Sequence, residues 1–256
     1  MPRFLKTVEQ QARLFLAATS RRGALKSAVR AVLLPYEIIR RYRQSVANNP
    51  RFAVSDEFDV EHGVETSVRV HPTDLDIASP NWIHASPYFP TPSRFLAETL
   101  SGLVVQFEDF TFVDLGSGKG RVLLMASEFP FRKIIGVEFS PELHIVAQRN
   151  IASYKGTSQK CRDITSLCMD FTEFEFPDQP LFVFLYNPAS KDLTRVLVKN
   201  LVRSLEKRAR KVWILYVTPH DLFDSEQMLQ KVKTGQCSGH PYCLYTNSQT
   251  SGIMAA

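Results

Sequence analysis

The chain has 256 residues, a formal net charge of +5 and four cysteines. A chain of that length buries roughly three quarters of the surface it exposes when unfolded, so no disulfide or metal staple is required. Cys161, Cys168, Cys237 and Cys243 form no CxxC pair, which excludes zinc-finger and dithiol motifs and indicates a reducing, cytoplasm-like compartment. No segment reaches the ~18 uninterrupted apolar residues of a membrane-spanning helix.

The charge is unevenly placed. Residues 1–50 hold ten Lys/Arg against Glu9 and Glu37, whereas the remainder holds 21 basic and 24 acidic residues. The first fifty residues therefore read as a basic helical N-terminal extension, ended by the Asn-Pro pair at 49–50. Such an arm either meets an acidic partner (nucleic acid, lipid headgroups or an acidic protein surface) or is a solvated amphipathic helix. Its Arg-rich, acid-poor start also resembles a mitochondrial transit peptide. Cytoplasmic placement is expected, with a mitochondrial location in a eukaryote, or one peripheral to a membrane, as alternatives.

Residues 51–92 are irregular and proline-rich, and are expected to contribute to a pocket. From 93 to 256 the pattern is regular. Residues 93–104 carry Phe95, Leu96, Leu100 and Leu103 on one helical face. FTFVDL (110–115) is a buried strand, 121–129 a helix, and KIIGVEF (133–139) a second strand. Ser140-Pro141-Glu142 is a helix start with a serine cap and proline at the first helical position. Further strands fall at 164–170, 181–186 and 212–217, with a long helix between the last two and a final pair around LQKVK and YCLYT. Strands separated by helices imply an α/β parallel sheet covered on both faces.

Between the first strand and its helix lies GSGKG (116–120). Glycines there let a ligand lie against the backbone, at the carboxyl edge where such sheets bind ligands. A Walker loop requires GxxxxGK[ST] and a dinucleotide fingerprint a glycine where Arg121 stands, so neither fits. The turn follows Asp114, and Glu138 ends the next strand, where a carboxylate takes ribose hydroxyls.

VDLGSGKGR with GVEFS downstream resembles the first motif and following acidic strand end of class I S-adenosylmethionine-dependent methyltransferases. The likeness runs from about Pro87 to Val217. It implies a Rossmann-like, doubly wound, mostly parallel seven-stranded sheet with S-adenosyl-L-methionine as cofactor. Gly116, Ser117, Gly118 and Gly120 would face the methionine part, Asp114 its ammonium and Glu138 the ribose. Asp170, ending the third strand, would read the adenine amino group, with Phe171 beside the ring. LYNPA resembles the start of the (Asp/Asn/Ser)-Pro-Pro-(Tyr/Phe) motif of enzymes that methylate nitrogen, making Tyr186, Asn187 and Pro188 the catalytic candidates. Ala189 and Ser190 depart from that motif, and Ser190 alternatively caps the next helix. PYFPTP (87–92) resembles a segment of the ATP synthase c-subunit lysine methyltransferase, which places Tyr88 and Thr91 at the cofactor pocket. A group of bacterial proteins without assigned activity resembles the chain more closely, from FDVEHGVET to YVTP.

The resemblance implies transfer of a methyl group to nitrogen, with a protein lysine side chain favoured. A nucleic-acid nitrogen and a non-catalytic cofactor-binding module docking a partner are the alternatives. Lysine must lose its proton from an unperturbed pKa of about 10.4, yet no motif places a histidine as base. His84 reads as a structural loop residue. The long helix carries Lys191, Arg195, Lys199, Arg203, Lys207 and Lys211 at four-residue steps, a solvated face, with Leu193, Val196, Leu197, Leu201 and Leu205 as its buried stripe. CSGHPYC (237–243) lacks ligand spacing and reads as a loop with two unpaired thiols; no metal is expected.

Overall fold

The computed structural model describes residues 56–248 apart from 76, 78–80, 82, 83 and 85. The basic extension expected over 1–50 and the residues from 249 onward lie outside them.

Seven strands make one sheet: β1 (Thr111–Leu115), β2 (Lys133–Glu138), β3 (Ile164–Cys168), β4 (Leu181–Tyr186), β5 (Val212–Val217), β6 (Gln230–Cys237) and β7 (His240–Thr246). Their order is β3-β2-β1-β4-β5-β7-β6. The first five are parallel, and β7 runs antiparallel beside β5 with β6 at the edge. The mostly parallel, doubly wound sheet expected from the strand-helix alternation is therefore present. All residues of β1 and β5 are buried, as strands covered on both faces must be.

The two faces follow from the period of two along a strand. Phe112, Ile134, Phe182 and Trp213 point to one side and pack with Phe95, Leu96, Leu123 and Phe131. Val113, Ile135, Val183 and Ile214 point to the other and pack against Leu197, Leu201 and Leu205. Each such side chain contributes about 1.5–3 kcal/mol through burial.

The described helices are α1 (Glu57–His62), α2 (Phe95–Leu100), α3 (Arg121–Ala126), α4 (Pro141–Ser153) and α5 (Lys191–Lys207). α4 starts as expected: Ser140 is its cap, accepting from the Leu143 N–H, and proline follows. Ser190 caps α5 in the same way. The stripe on α5 differs from the sequence expectation. Its buried residues are Thr194, Leu197, Val198, Leu201 and Leu205, whereas Val196 is 41% exposed. Residues 194, 197, 198, 201 and 205 lie one above another at three- and four-residue spacing; 196 falls on the flank. The basic residues of the band are exposed, in keeping with a solvated face.

CSGHPYC is corrected from a loop to a β-hairpin. Cys237 ends β6 opposite His240 of β7, and Ser238 and Gly239 form the turn at φ 49° and 80°, the twist that two-residue hairpins require. Among the described residues no group of three His, Cys, Asp or Glu could hold a metal ion, and no helix is long and apolar enough to cross a membrane.

Candidate cofactor and acceptor cleft

The carboxyl ends of β1, β2 and β4 open into one cleft. Its walls include Asp114, Gly116, Ser117 and Gly118 from the first strand end and turn, Glu138 from the second, and Tyr186, Asn187 and Pro188 from the fourth. Tyr88, Phe89 and Thr91 from the irregular segment line it as well. Ten of the thirteen residues singled out from the sequence thus share one cavity, across large separations in the chain.

Backbone conformation explains the glycines. Gly116, Gly118 and Gly120 have φ of 89°, 54° and 81°, in the left-handed region that costs other residues roughly 1–2 kcal/mol. Gly118 has a second reason: a Cβ there would stand 2.3 Å from the Tyr88 ring. Gly120 lies behind the cleft, facing Ala147 of α4.

Glu138 is 3% exposed. One carboxylate oxygen accepts from the Gly118 N–H at 2.8 Å and the other from the Ser140 N–H at 2.8 Å. Burial nevertheless pushes its pKa up to about 7, outweighing the backbone N–H groups of Ser140, Gly118 and Phe139 that favour the charged form. Burial, and then the nearby Glu138, holds Asp114 well above the usual carboxylate range. The cleft floor is thus a pair of buried carboxyl groups held short of full ionisation. A cationic ligand fits that arrangement, because it supplies the charge that would ionise both.

Because folding disfavours the charged form of Glu138, its contribution is whole below about pH 4.5 and lost as the pH rises through about 7. The total is on the order of 3 kcal/mol. Denaturant unfolding of Glu138→Gln against wild type should show this part of the decline, between pH 4.5 and 7, flattened in the variant.

The acceptor side is built by the turn after β4. Asn187 sits at φ 41°, and its N–H donates to the Val217 carbonyl at 3.3 Å. A non-glycine residue held in this region is strained, and such strain concentrates at functional sites. Pro188 packs within 3.5 Å of where a Gly116 Cβ would stand, which joins the acceptor turn to the glycine turn. The Tyr186 hydroxyl lies 2.9 Å from His240 Nδ1, and burial raises its pKa. His84, read as structural, touches this turn: its carbonyl accepts from the Ser190 N–H at 3.0 Å, and its Nδ1 is 3.1 Å from Ser190 Oγ.

Asp170 and Phe171 are placed elsewhere. β3 stops at Cys168, two residues short of the expected end, because Asp170 instead caps a single 3₁₀ turn over Phe171–Glu173. Its Oδ1 accepts from the Thr172 N–H and hydroxyl, and its Oδ2 accepts from Asn81 Nδ2 at 2.9 Å. Phe171 packs against the α5 side of the core. Neither lines the cleft described above.

Sequence reading gave Arg121 and Lys119 no role here. Lys119 is fully buried beside Glu65, its Nζ 3.7 Å from Oε1 and 5.6 Å from the Tyr88 ring centroid. Burial, only partly offset by Glu65 and Asp59, lowers its pKa to about 8. His240 was seen only as part of CSGHPYC; nothing in the sequence marks its approach to Tyr186 from 54 residues away.

No protein-family model and no curated protein matches the chain. Solved structures similar to it include an RNA methyltransferase from Salinibacter ruber in complex with S-adenosyl-L-homocysteine. That pair is 18% identical over 63% of this chain and 95% of the other, with a TM-score of 0.47. A ribosomal protein L11 methylase from Lactobacillus delbrueckii subsp. bulgaricus is 14% identical over 60% of this chain and 75% of its own, at 0.42. A precorrin-6y C5,15-methyltransferase from Geobacter metallireducens is 20% identical over 59% and 85%, at 0.40. Likeness this distant leaves the chemistry of the cleft to be read from its own residues.

Proposed function

We propose that the protein is an S-adenosylmethionine-dependent methyltransferase acting on nitrogen, with the side chain of a protein lysine as the acceptor. The observation that carries this reading is the buried Asp114–Glu138 pair beneath a positive-φ glycine turn, facing Asn187 across one cleft. When bound, the cofactor supplies a methyl group already activated by its sulfonium sulfur.

The chain's residues fit that group. Gly116 leaves its backbone open toward the cleft, where a Cβ would come within 3.5 Å of Pro188, and Ser117 Oγ is buried with no hydrogen-bond partner among the described residues. Asp114 would face the ammonium and Glu138 the ribose hydroxyls, through the acceptor capacity that its backbone bonds leave. Tyr88 and Thr91 would close the methionine end, with Gly120 shaping the turn. Asp170 and Phe171 remain proposed for the adenine end, which requires that Asp170 exchange or share its Asn81 contact.

Asn187 would accept a hydrogen bond from the acceptor amine through its side-chain oxygen, with Tyr186 and Pro188 bounding the approach. Alignment of this kind supplies roughly 7–11 kcal/mol of such a barrier. The amine must arrive neutral, and the Tyr186 hydroxyl on the cleft wall lies 2.9 Å from His240 Nδ1. The basic extension over 1–50, the lead-in over 51–92 and the catalytic domain over 93–256 remain the proposed division. An acidic partner for the extension and a cytoplasmic site of action belong to the same proposal.

Calorimetry with S-adenosylmethionine tests the cofactor reading: saturable binding is expected, tightening as the pH rises through about 7 with ionisation of Glu138; absence of binding would sink it. The strained turn gives a separate check. Asn187→Gly should leave stability unchanged or slightly raised, and Asn187→Ala should cost about 1 kcal/mol for its left-handed backbone. Both should lose methyl transfer. Retained transfer in either would remove Asn187 from the site.

A further inference from the structure

Arg121 directly follows the glycine turn, takes no part in the chemistry above and is 2% exposed. Its guanidinium is held from several directions. Nη2 lies 2.6 Å from Asp56 Oδ2 and Nη1 3.2 Å from Oδ1. Nη1 also donates to Thr66 Oγ1 at 2.8 Å, and Nε donates to the Thr91 carbonyl at 2.7 Å. Asp59 Oδ1 stands 3.5 Å away, and the Phe58 ring lies under the guanidinium at 4.4 Å.

Asp59 is buried too, and accepts from the Thr66 and Ser67 N–H groups at 2.7 Å each. A single side chain on the first turn of α3 thereby holds Asp56, Thr66 and Thr91 together. The contacts continue to the glycine turn. Val70 and Tyr88 pair antiparallel, and the Tyr88 hydroxyl donates back to the Thr66 carbonyl at 2.7 Å. The Tyr88 ring, pinned at its backbone and its hydroxyl, rests on Gly118, whose N–H donates to Glu138.

We propose that Asp56, Asp59 and Arg121 form a clamp that sets cofactor affinity by holding Tyr88 on Gly118 and so the Gly118 N–H on Glu138. They are positioning residues, and the inference rests on the cofactor reading of the cleft. Buried charge of this kind costs desolvation that only good geometry offsets. The forked guanidinium meets that condition and a lysine would not.

The test is a double-mutant cycle on the full chain, read by calorimetry with S-adenosylhomocysteine. Asp56→Asn is chosen because that side chain is 41% exposed, and Tyr88→Phe removes only the hydroxyl tether. Each single change should weaken binding about tenfold, as loss of a charged or buried hydrogen bond does. The double variant should bind no more weakly than either single, because both act through one contact. Arg121→Lys should reproduce the loss. Thermal melts check folding. Additive losses of about a hundredfold in the double, or unchanged affinity in Asp56→Asn and Arg121→Lys, would overturn the clamp. Failure of the wild type to bind would overturn the cofactor reading and the clamp with it.

Discussion

Gly118→Ala should abolish S-adenosylmethionine binding, weakening it at least about a hundredfold, while the protein stays folded. Two costs combine. Gly118 has φ 54°, which costs alanine roughly 1–2 kcal/mol, and the new Cβ would stand 2.3 Å from the Tyr88 ring. The ring cannot swing aside freely, since its hydroxyl is tied to the Thr66 carbonyl and its backbone to Val70. Overpacking of this kind costs about 1–3 kcal/mol, and the displacement falls on the N–H that Glu138 accepts. Gly102→Ala is the matched control, because Gly102 has a similar φ of 77° and nothing within 4 Å of its Cβ position. It should show the backbone cost alone and bind the cofactor normally. Calorimetry on the two variants separates the effects, and normal binding by Gly118→Ala would show that cofactor binding does not depend on this contact.

The largest effect on stability should come from Arg121→Leu. Removing the guanidinium leaves Asp59, 3% exposed, facing Asp56 without its cation, and breaking a buried pair from one side costs roughly 3–5 kcal/mol. Leucine fills the volume but satisfies neither the Thr91 carbonyl nor Thr66 Oγ1. Urea unfolding should show the midpoint moving well below that of wild type. Adding Asp59→Asn should restore part of the loss, since the orphaned charge is then gone. A loss under about 1 kcal/mol in Arg121→Leu would mean that Asp59 is stabilised by its N–H donors alone.

Those two predictions mark the boundary between what the sequence displays and what only the fold reveals. Apolar runs such as FTFVDL and LFVFLY identify central strands because burial on both faces leaves few polar positions. Ser140-Pro141 identifies a helix start because capping is local chemistry. The glycine turn with Asp114 and Glu138 is legible for the same reason: the residues follow one another along a strand, a turn and the next strand. Arg121 was visible only as a residue that spoils a dinucleotide pattern. Its partners Asp56, Thr66 and Thr91 lie 65, 55 and 30 positions away, and no periodicity records contacts of that range. His240 on Tyr186 is hidden in the same way.

The remaining differences have local causes. β3 is an edge strand, only partly buried, and its end yields to the cap that Asp170 makes with Thr172. On α5 the buried stripe runs through Thr194 rather than Val196, because Thr194 is fully buried with its hydroxyl bonded to the Ser190 carbonyl. In CSGHPYC the turn is made by Ser238-Gly239, both at positive φ, the conformation that two-residue hairpins favour.

Methyl transfer itself is tested most directly by incubating the full chain with methyl-labelled S-adenosylmethionine and a lysate of its source organism, then hydrolysing the protein fraction and identifying the labelled species. Label recovered as methylated lysine, and lost with Gly118→Ala, is the expected result. Incorporation no greater than that of the Gly118→Ala variant would contradict a methyltransferase built on this cleft.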